Sequence, residues 1–276
     1  MMEKVILTVA PTGNVPTREL NPYVPLTPDE IAEDILRCYN AGAAIAHIHA
    51  RTDDEQPTPD PAVFKTIIQK VREKCDIIIQ LSTGARGGKT AAERGACIDL
   101  KPEMVSLATG SSNFAKSVNL NPPELIRELA QRMLDNGVKP EIEIFDLSML
   151  EHAVFLAKKG ILKTPMHINL VLGVPGSLSG DPRNLFFLVE SLPKESTWSV
   201  TSIGKSHRHL SSLTMALGGH VRTGIEDVME LDPGKPVSNL ELVQRLANLA
   251  RACDRPIATA EEARAMLGLK PGGVQL

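Results

Sequence analysis

The sequence predicts an α/β fold: a closed (β/α)8 TIM barrel with one extra helix at its C-terminal end. Two observations carry this. Short apolar runs of strand character alternate with helix-periodic segments eight times along the chain, and strict alternation of this kind implies a parallel sheet. Eight such units in 276 residues fit the length over which a barrel closes as one domain. No linker or low-complexity segment interrupts the alternation, so residues 1–276 read as a single domain. A doubly wound open sheet is the other architecture that the pattern allows.

The first strand is read over residues 4–10 (KVILTVA), closed by Pro11-Thr12-Gly13-Asn14. Thr27-Pro28-Asp29-Glu30 then opens a helix: Thr27 caps it, Pro28 suits its first turn and Glu30 completes a capping box. That helix ends at Asn40-Ala41-Gly42, and the run 43–51 (AAIAHIHAR) is the second strand. A helix over 60–74 follows, with Val63, Ile67, Ile68 and Val71 at helical spacing. Further strands are read at 76–82, 103–109, 141–146, 166–172, 197–203 and 218–224. Helices fall after Gly88 and over 122–135, 148–159, 183–191, 209–217 and 238–252. Thr259-Ala260-Glu261-Glu262 starts the extra capped helix.

Composition excludes several function classes. A net charge of -3 and 3% aromatic residues offer neither the field nor the stacking surfaces that nucleic acid requires. The apolar segment after the N-terminus is too short to span a membrane and lacks a signal-peptide cleavage pattern, so no membrane partner is expected. Cys38, Cys75, Cys97 and Cys253 stand far apart without paired spacing, which favours free thiols in a reducing compartment; the chain reads as cytoplasmic.

The second strand is the most informative stretch. Side chains alternate along a strand, so His47 and His49 share one face and Ile48 takes the other. Two imidazoles at the end of an apolar strand are costly to bury unless their nitrogens are satisfied. A metal does this, and so does a hydrogen-bonded pair without one; the spacing alone leaves both readings open.

In a barrel, function sits at the C-terminal strand ends. Residues read there are Thr8 and Thr12, Gln80 and Ser82, Ser106 and Thr109, Glu143 and Asp146, His167 and Asn169, Thr201 and Ser202, then Arg222. After the last strand, Glu226 or Asp227 offers a carboxylate as a third metal ligand, or simply an acid in the first turn of a short helix. Ser82-Thr83-Gly84, with Gly87 and Gly88, offers backbone N–H groups and a hydroxyl to a carboxylate. Gly173-Val174-Pro175-Gly176-Ser177, with Gly180, reads as a lid or a plain turn. His207-Arg208-His209 is a rival histidine pair in a less strand-like setting.

The ordered set TGN, HIHAR, QLSTG, PEMVSL, TGSSNF, PEIEIFD, VLGVPG and GGHVRTGIED resembles the β-keto acid cleavage enzyme family over nearly the whole chain. The resemblance implies a TIM barrel, a homotetramer and one zinc per subunit, held by His47, His49 and Glu226. It implies a transferase that takes a β-keto acid and acetyl-CoA, the co-substrate, to acetoacetate and a shortened acyl-CoA. Ser82 and Ser106, beside Thr83 and Gly84, would hold the substrate carboxylate. Glu143 would be a polar active-site residue, and Arg222 and Asp227 a dyad that helps remove the proton between the carbonyls.

One departure bears on substrate. Family members that act on 3-keto-5-aminohexanoate carry a glutamate after the first-strand Thr-Gly, where it can pair with an ammonium. Here Asn14-Val15 follows Gly13, and Val15 takes the comparable position. An apolar side chain offers no counter-charge, so the expected substrate lacks the amino group. Ala85 also stands where a second glycine is common. A metal-dependent barrel hydrolase is the alternative reading, but such enzymes usually carry HxH on the first strand. A non-catalytic metal-binding regulator is a third.

Overall fold

Alternation along each strand sorts side chains to two sides of a closed sheet. The computed structural model describes residues 3–84, 89–115 and 117–270. Its strands are β1 (Leu7–Val9), β2 (Ile45–Ile48), β3 (Ile78–Leu81), β4 (Met104–Ala108), β5 (Lys139–Ile144), β6 (His167–Leu172), β7 (Thr197–Ser202) and β8 (His220–Thr223). All pair in parallel in chain order, and β1 pairs with both β2 and β8, so the barrel is closed and the open sheet is excluded.

Outward-facing Val9, Ala46, Ile48, Ile79, Leu81, Val105, Leu107, Ile142 and Ile144 join a core with the surrounding helices. Ile48, Ile79 and Ile142 are fully buried, and each contributes roughly 1.5–3 kcal/mol through burial. The inward set is polar above its floor: His47 lies in register with Gln80, Ser106 with Glu141, and Thr201 with Arg222. Ile45, Ile78 and Met104 form that floor.

The helices are α1 (Pro28–Asn40), α2 (Pro61–Arg72), α3 (Ala91–Gly95), α4 (Pro123–Asn136), α5 (Leu147–Lys158), α6 (Pro182–Ser191), α7 (His207–Ala216), α8 (Asn239–Ala252) and α9 (Ala260–Leu267). The capping box of α1 forms as expected: Glu30 N donates to Thr27 Oγ1 at 3.3 Å, and Thr27 N donates to Glu30 Oε2 at 3.1 Å. The extra helix α9 has a purpose in the fold. Its Ala263 and Leu267 pack on Ile6, Ala44, Ile45, Ile78 and Met104 and seal the N-terminal mouth of the barrel.

Four details differ from the sequence expectation. The first strand is shorter than residues 4–10, and Val5 instead bridges to Ile257. Residues 50–58, Ser112–Phe114 with Ser117–Asn119, and 230–236 pair as short antiparallel ribbons, too brief and polar to leave a periodic signal. Residues 91–100 are one short α turn followed by a 3-10 segment. Glu226 and Asp227 lie in a turn after β8, not in a helix; Asp227 N donates to Gly224 O at 3.0 Å. The four cysteines are free, with Cys38 and Cys97 buried and Cys75 and Cys253 half-buried. No helix among the described residues is long and apolar enough to cross a membrane.

Candidate active site

The polar interior of the barrel rises to a cluster at its C-terminal end. His47 leaves β2 pointing inward and His49 follows two residues later on the same side, as period two requires. Their Nε2 atoms stand 3.2 Å apart. Glu226 arrives from the turn after β8, with carboxylate oxygens 3.4 Å from His49 Nε2 and 3.8 Å from His47 Nε2. The three ligand atoms lie within 4.8 Å of one another, and together they could hold a metal ion.

The donor chemistry fits a cation. His47 Nδ1 lies 2.6 Å from Gln80 Oε1, and His49 Nδ1 lies 3.1 Å from Asn14 Oδ1. An amide oxygen only accepts, so each Nδ1 is the protonated nitrogen and each Nε2 presents a lone pair. Two lone pairs facing each other at 3.2 Å cannot hydrogen-bond. Glu226 Oε2 is also buried and has no hydrogen-bond partner among the described residues. Three acceptors converging without a donor leave a place for a positive ion. Burial, reinforced by the Arg222 charge, pushes His47 down to about 4, so it is a neutral ligand at pH 7.

Two glycines make room for Glu226. A Cβ on Gly13, whose φ is +64°, would lie 2.5 Å from Glu226 Cγ. Gly224, at φ +147°, passes so near β1 that a Cβ would meet Ala10 O at 2.1 Å. The ends of β1 and β8 therefore approach as closely as backbone allows.

Arg222 on β8 organises the acids. Its Nε donates to Asp227 Oδ2 at 3.0 Å and its Nη2 to Asp227 Oδ1 at 2.9 Å. Nη2 also contacts Glu226 Oε1 at 2.8 Å. Nη1 has no hydrogen-bond partner among the described residues, and Glu143 Oε1 lies 3.6 Å away. Burial alone would raise Glu226, but Arg222 and the two imidazoles outweigh it and hold the carboxyl well below the usual range. Burial lifts Asp227 above its usual range against the pull of Arg222, with Glu226 adding to the lift. Burial pushes Glu143 up to about 8, again against Arg222. One carboxylate is therefore fixed as an anion, and two are poised to exchange protons near neutrality.

Beside His49 a cavity of about 300 Å³ opens, lined in part by Asn14, Ser82, Thr83, Gly84 and Lys89. Ser82 Oγ accepts from Gly84 N at 3.0 Å, and Thr83 Oγ1 donates to Ser106 O at 2.7 Å, so these residues form one turn at the cavity wall. Ala85, Gly87 and Gly88 lie outside the described residues. Val15 is 44% exposed and is not among the residues lining the cavity.

Other strand-end candidates have structural positions. Asp146 is the N-cap of α5 and accepts from Met149 N at 3.2 Å. His167 stands at the start of β6, not its end, 3.4 Å from buried Glu141. Asn169 Oδ1 accepts from Thr201 Oγ1 at 2.9 Å inside the barrel. Thr12 donates to Pro25 O and Thr109 to Met149 O. His207 contacts Thr223 Oγ1 while His209 contacts Gly180 O, so this pair diverges. The 173–178 segment closes as a turn, with Gly173 N donating to Leu178 O at 2.9 Å.

Residues 4–269 match the family model described as beta-keto acid cleavage enzyme. The chain belongs to that family. The 3-keto-5-aminohexanoate cleavage enzyme of Acetoanaerobium sticklandii is 44% identical over 271 residues, covering 97% of this chain and 99% of that protein. The 3-oxoadipate:acetyl-CoA acetyltransferase of Cupriavidus necator is 40% identical, covering 98% of this chain and 96% of that one. Among solved structures, the ternary complex of ObcA with a C4-CoA adduct and oxalate superposes with a TM-score of 0.79. At 22% identity, covering 90% of this chain and 68% of that one, this likeness speaks for the barrel alone. Three relatives, that acetyltransferase among them, are named as transferases acting with acetyl-CoA, and the expectation of an acyltransferase enzyme stands with them.

Proposed function

We propose that the chain is a zinc-dependent β-keto acid cleavage enzyme acting as one catalytic domain. In that reaction a β-keto acid and acetyl-CoA exchange acyl groups to give acetoacetate and the CoA thioester of the shortened acid. The observation that carries this reading is the convergence of His47, His49 and Glu226 beside the Arg222–Asp227 pair. His47 Nε2, His49 Nε2 and a Glu226 carboxylate oxygen would hold the metal, a nitrogen and oxygen donor set that suits zinc.

When bound, the metal supplies a Lewis acid for the substrate's keto oxygen. The rest belongs to the chain. Ser82, Thr83, Gly84 and Ser106 hold the substrate carboxylate and so fix the acidic carbon between the two carbonyls. Asp227, raised by burial, takes the proton from that carbon while Arg222 keeps its carboxylate oriented. The carbanion attacks the acetyl carbonyl, the new C–C bond forms and CoA leaves as thiolate. The thiolate then adds to the original keto carbon, the C2–C3 bond of the keto acid breaks with its electron pair left on C2, and Asp227 returns its proton to that carbon to give acetoacetate. Glu143, raised to about 8, is a protonated donor at neutral pH and steadies the oxygen opposite Arg222 Nη1.

The substrate lacks the amino group of 3-keto-5-aminohexanoate. Among the described residues, none of the side chains lining the cavity is a carboxylate that could pair with an ammonium. The assembly is a homotetramer in the cytoplasm, a reading that fits the exposed Phe155, Phe186 and Phe187 on the outer helices. Zinc analysis of the purified chain, with a panel of short, branched and polar β-keto acids and acetyl-CoA, tests the whole reading. Acetoacetate release with bound zinc is the expected result; no acetoacetate from any acid contradicts it.

A further inference from the structure

The histidines of the metal cluster are oriented by amides. Gln80 on β3 is fully buried, lies in register with His47, and places Oε1 2.6 Å from His47 Nδ1. Asn14, in the loop after β1, places Oδ1 3.1 Å from His49 Nδ1. The orientation of Asn14 is pinned, because its Nδ2 donates to Gly84 O at 2.8 Å and a carbonyl can only accept.

Arg51 supports the loop that carries Asn14. Its guanidinium is 4% exposed and donates to Gly13 O at 2.7 Å and 3.0 Å and to Pro16 O at 3.0 Å, on either side of Asn14. A fourth bond runs to Glu55 O at 2.8 Å. Every partner is neutral, so the charge serves to hold backbone.

We propose that Gln80 and Asn14 are positioning residues that fix both histidines as Nε2 ligands and keep the metal strongly electrophilic because both are uncharged. This rests on the metal reading above. The ligands carry one negative charge, so a divalent ion in this cluster retains one net positive charge. A carboxylate in place of either amide would draw the Nδ1 proton, make the imidazole a stronger donor and spend part of that charge. Metal would then be held more tightly and the keto oxygen polarised less. Amides give correct tautomers without that loss. Asn14 also ties His49 to the Ser82–Gly84 turn, so the two halves of the substrate site share one orienting side chain.

The test is zinc affinity of the full-length chain, measured by competition with a chromophoric chelator, for wild type, Gln80→Leu, Gln80→Glu and Asn14→Ala. The metal-free melting curve of each variant separates lost ligand orientation from lost fold. Gln80→Leu and Asn14→Ala are expected to bind zinc about 10- to 100-fold more weakly. Gln80→Glu is expected to bind at least as tightly as wild type while kcat falls about tenfold or more, with KM little changed. The proposal is overturned if the Leu and Ala variants keep wild-type affinity. It is also overturned if Gln80→Glu loses zinc as Gln80→Leu does. A wild-type chain without zinc affinity overturns the metal reading itself, and this inference with it.

Discussion

Arg222 clasps Asp227 at two points, Nε to Oδ2 at 3.0 Å and Nη2 to Oδ1 at 2.9 Å, while the same Nη2 contacts Glu226 Oε1 at 2.8 Å. One guanidinium thus joins the proposed base to a proposed metal ligand. Asp227→Asn keeps the shape but removes the basic oxygen. We expect kcat to fall about 100- to 10,000-fold, the range for a lost general base, with zinc content unchanged. Turnover and metal analysis of the same preparation check this. Retained turnover would move the base elsewhere.

Gly13→Ala should act through Glu226. A methyl group there would stand 2.5 Å from Glu226 Cγ, on a backbone at φ +64° that disfavours side chains. Glu226 must move, so zinc occupancy should drop together with about 1–3 kcal/mol of stability. Chelator competition and denaturant unfolding measure the two effects. Full occupancy in this variant would remove Glu226 from the ligand set.

Legibility in the sequence followed parity and motif. Period two was enough to put His47 and His49 on one side, and the final GGHVRTGIED run led to Arg222, Glu226 and Asp227. Parity also explains Asp146: Glu141 and Glu143 alternate inward, whereas Asp146 lies beyond Ile144 and caps the next helix. His167 has the inward parity but is only the second residue of the run 166–172, so its place at the start of the strand was already legible. Asn169 spends its amide on Glu141 and Thr201 inside the barrel, which only the register of the neighbouring strands reveals. Gln80 read as one more strand-end polar residue. Its partner is a histidine 33 positions away, and only the register of β2 against β3 brings them together.

Glu141 supplies a pH test deep in the barrel. Burial alone raises its carboxyl, but the His167 imidazole 3.4 Å away and the more distant Arg222 guanidinium outweigh burial and hold it at about 2. A depressed folded value means that ionised Glu141 stabilises the chain above the ordinary value of 4.5, and that this is lost as pH falls towards 2. The gap in unfolding free energy between wild type and Glu141→Gln should shrink by up to about 3 kcal/mol across that window. Denaturant titrations at both ends read it. A constant gap would mean that Glu141 is already neutral at pH 5.

Val15→Glu addresses substrate choice. If Val15 faces the arm of the bound acid, a glutamate there should raise kcat/KM for an amino-substituted β-keto acid about tenfold relative to its neutral isostere. An unchanged ratio would place Val15, already 44% exposed, outside the pocket.

The carbon skeleton of the product tests the central claim most directly. Acetyl-CoA labelled with carbon-13 at both acetyl carbons is incubated with the zinc-loaded chain and an unlabelled β-keto acid, and the products are read by NMR. Acyl exchange predicts label at C3 and C4 of acetoacetate, C1 and C2 unlabelled, and an unlabelled new acyl-CoA. Label recovered only as acetate, or carried into the new thioester, would contradict it.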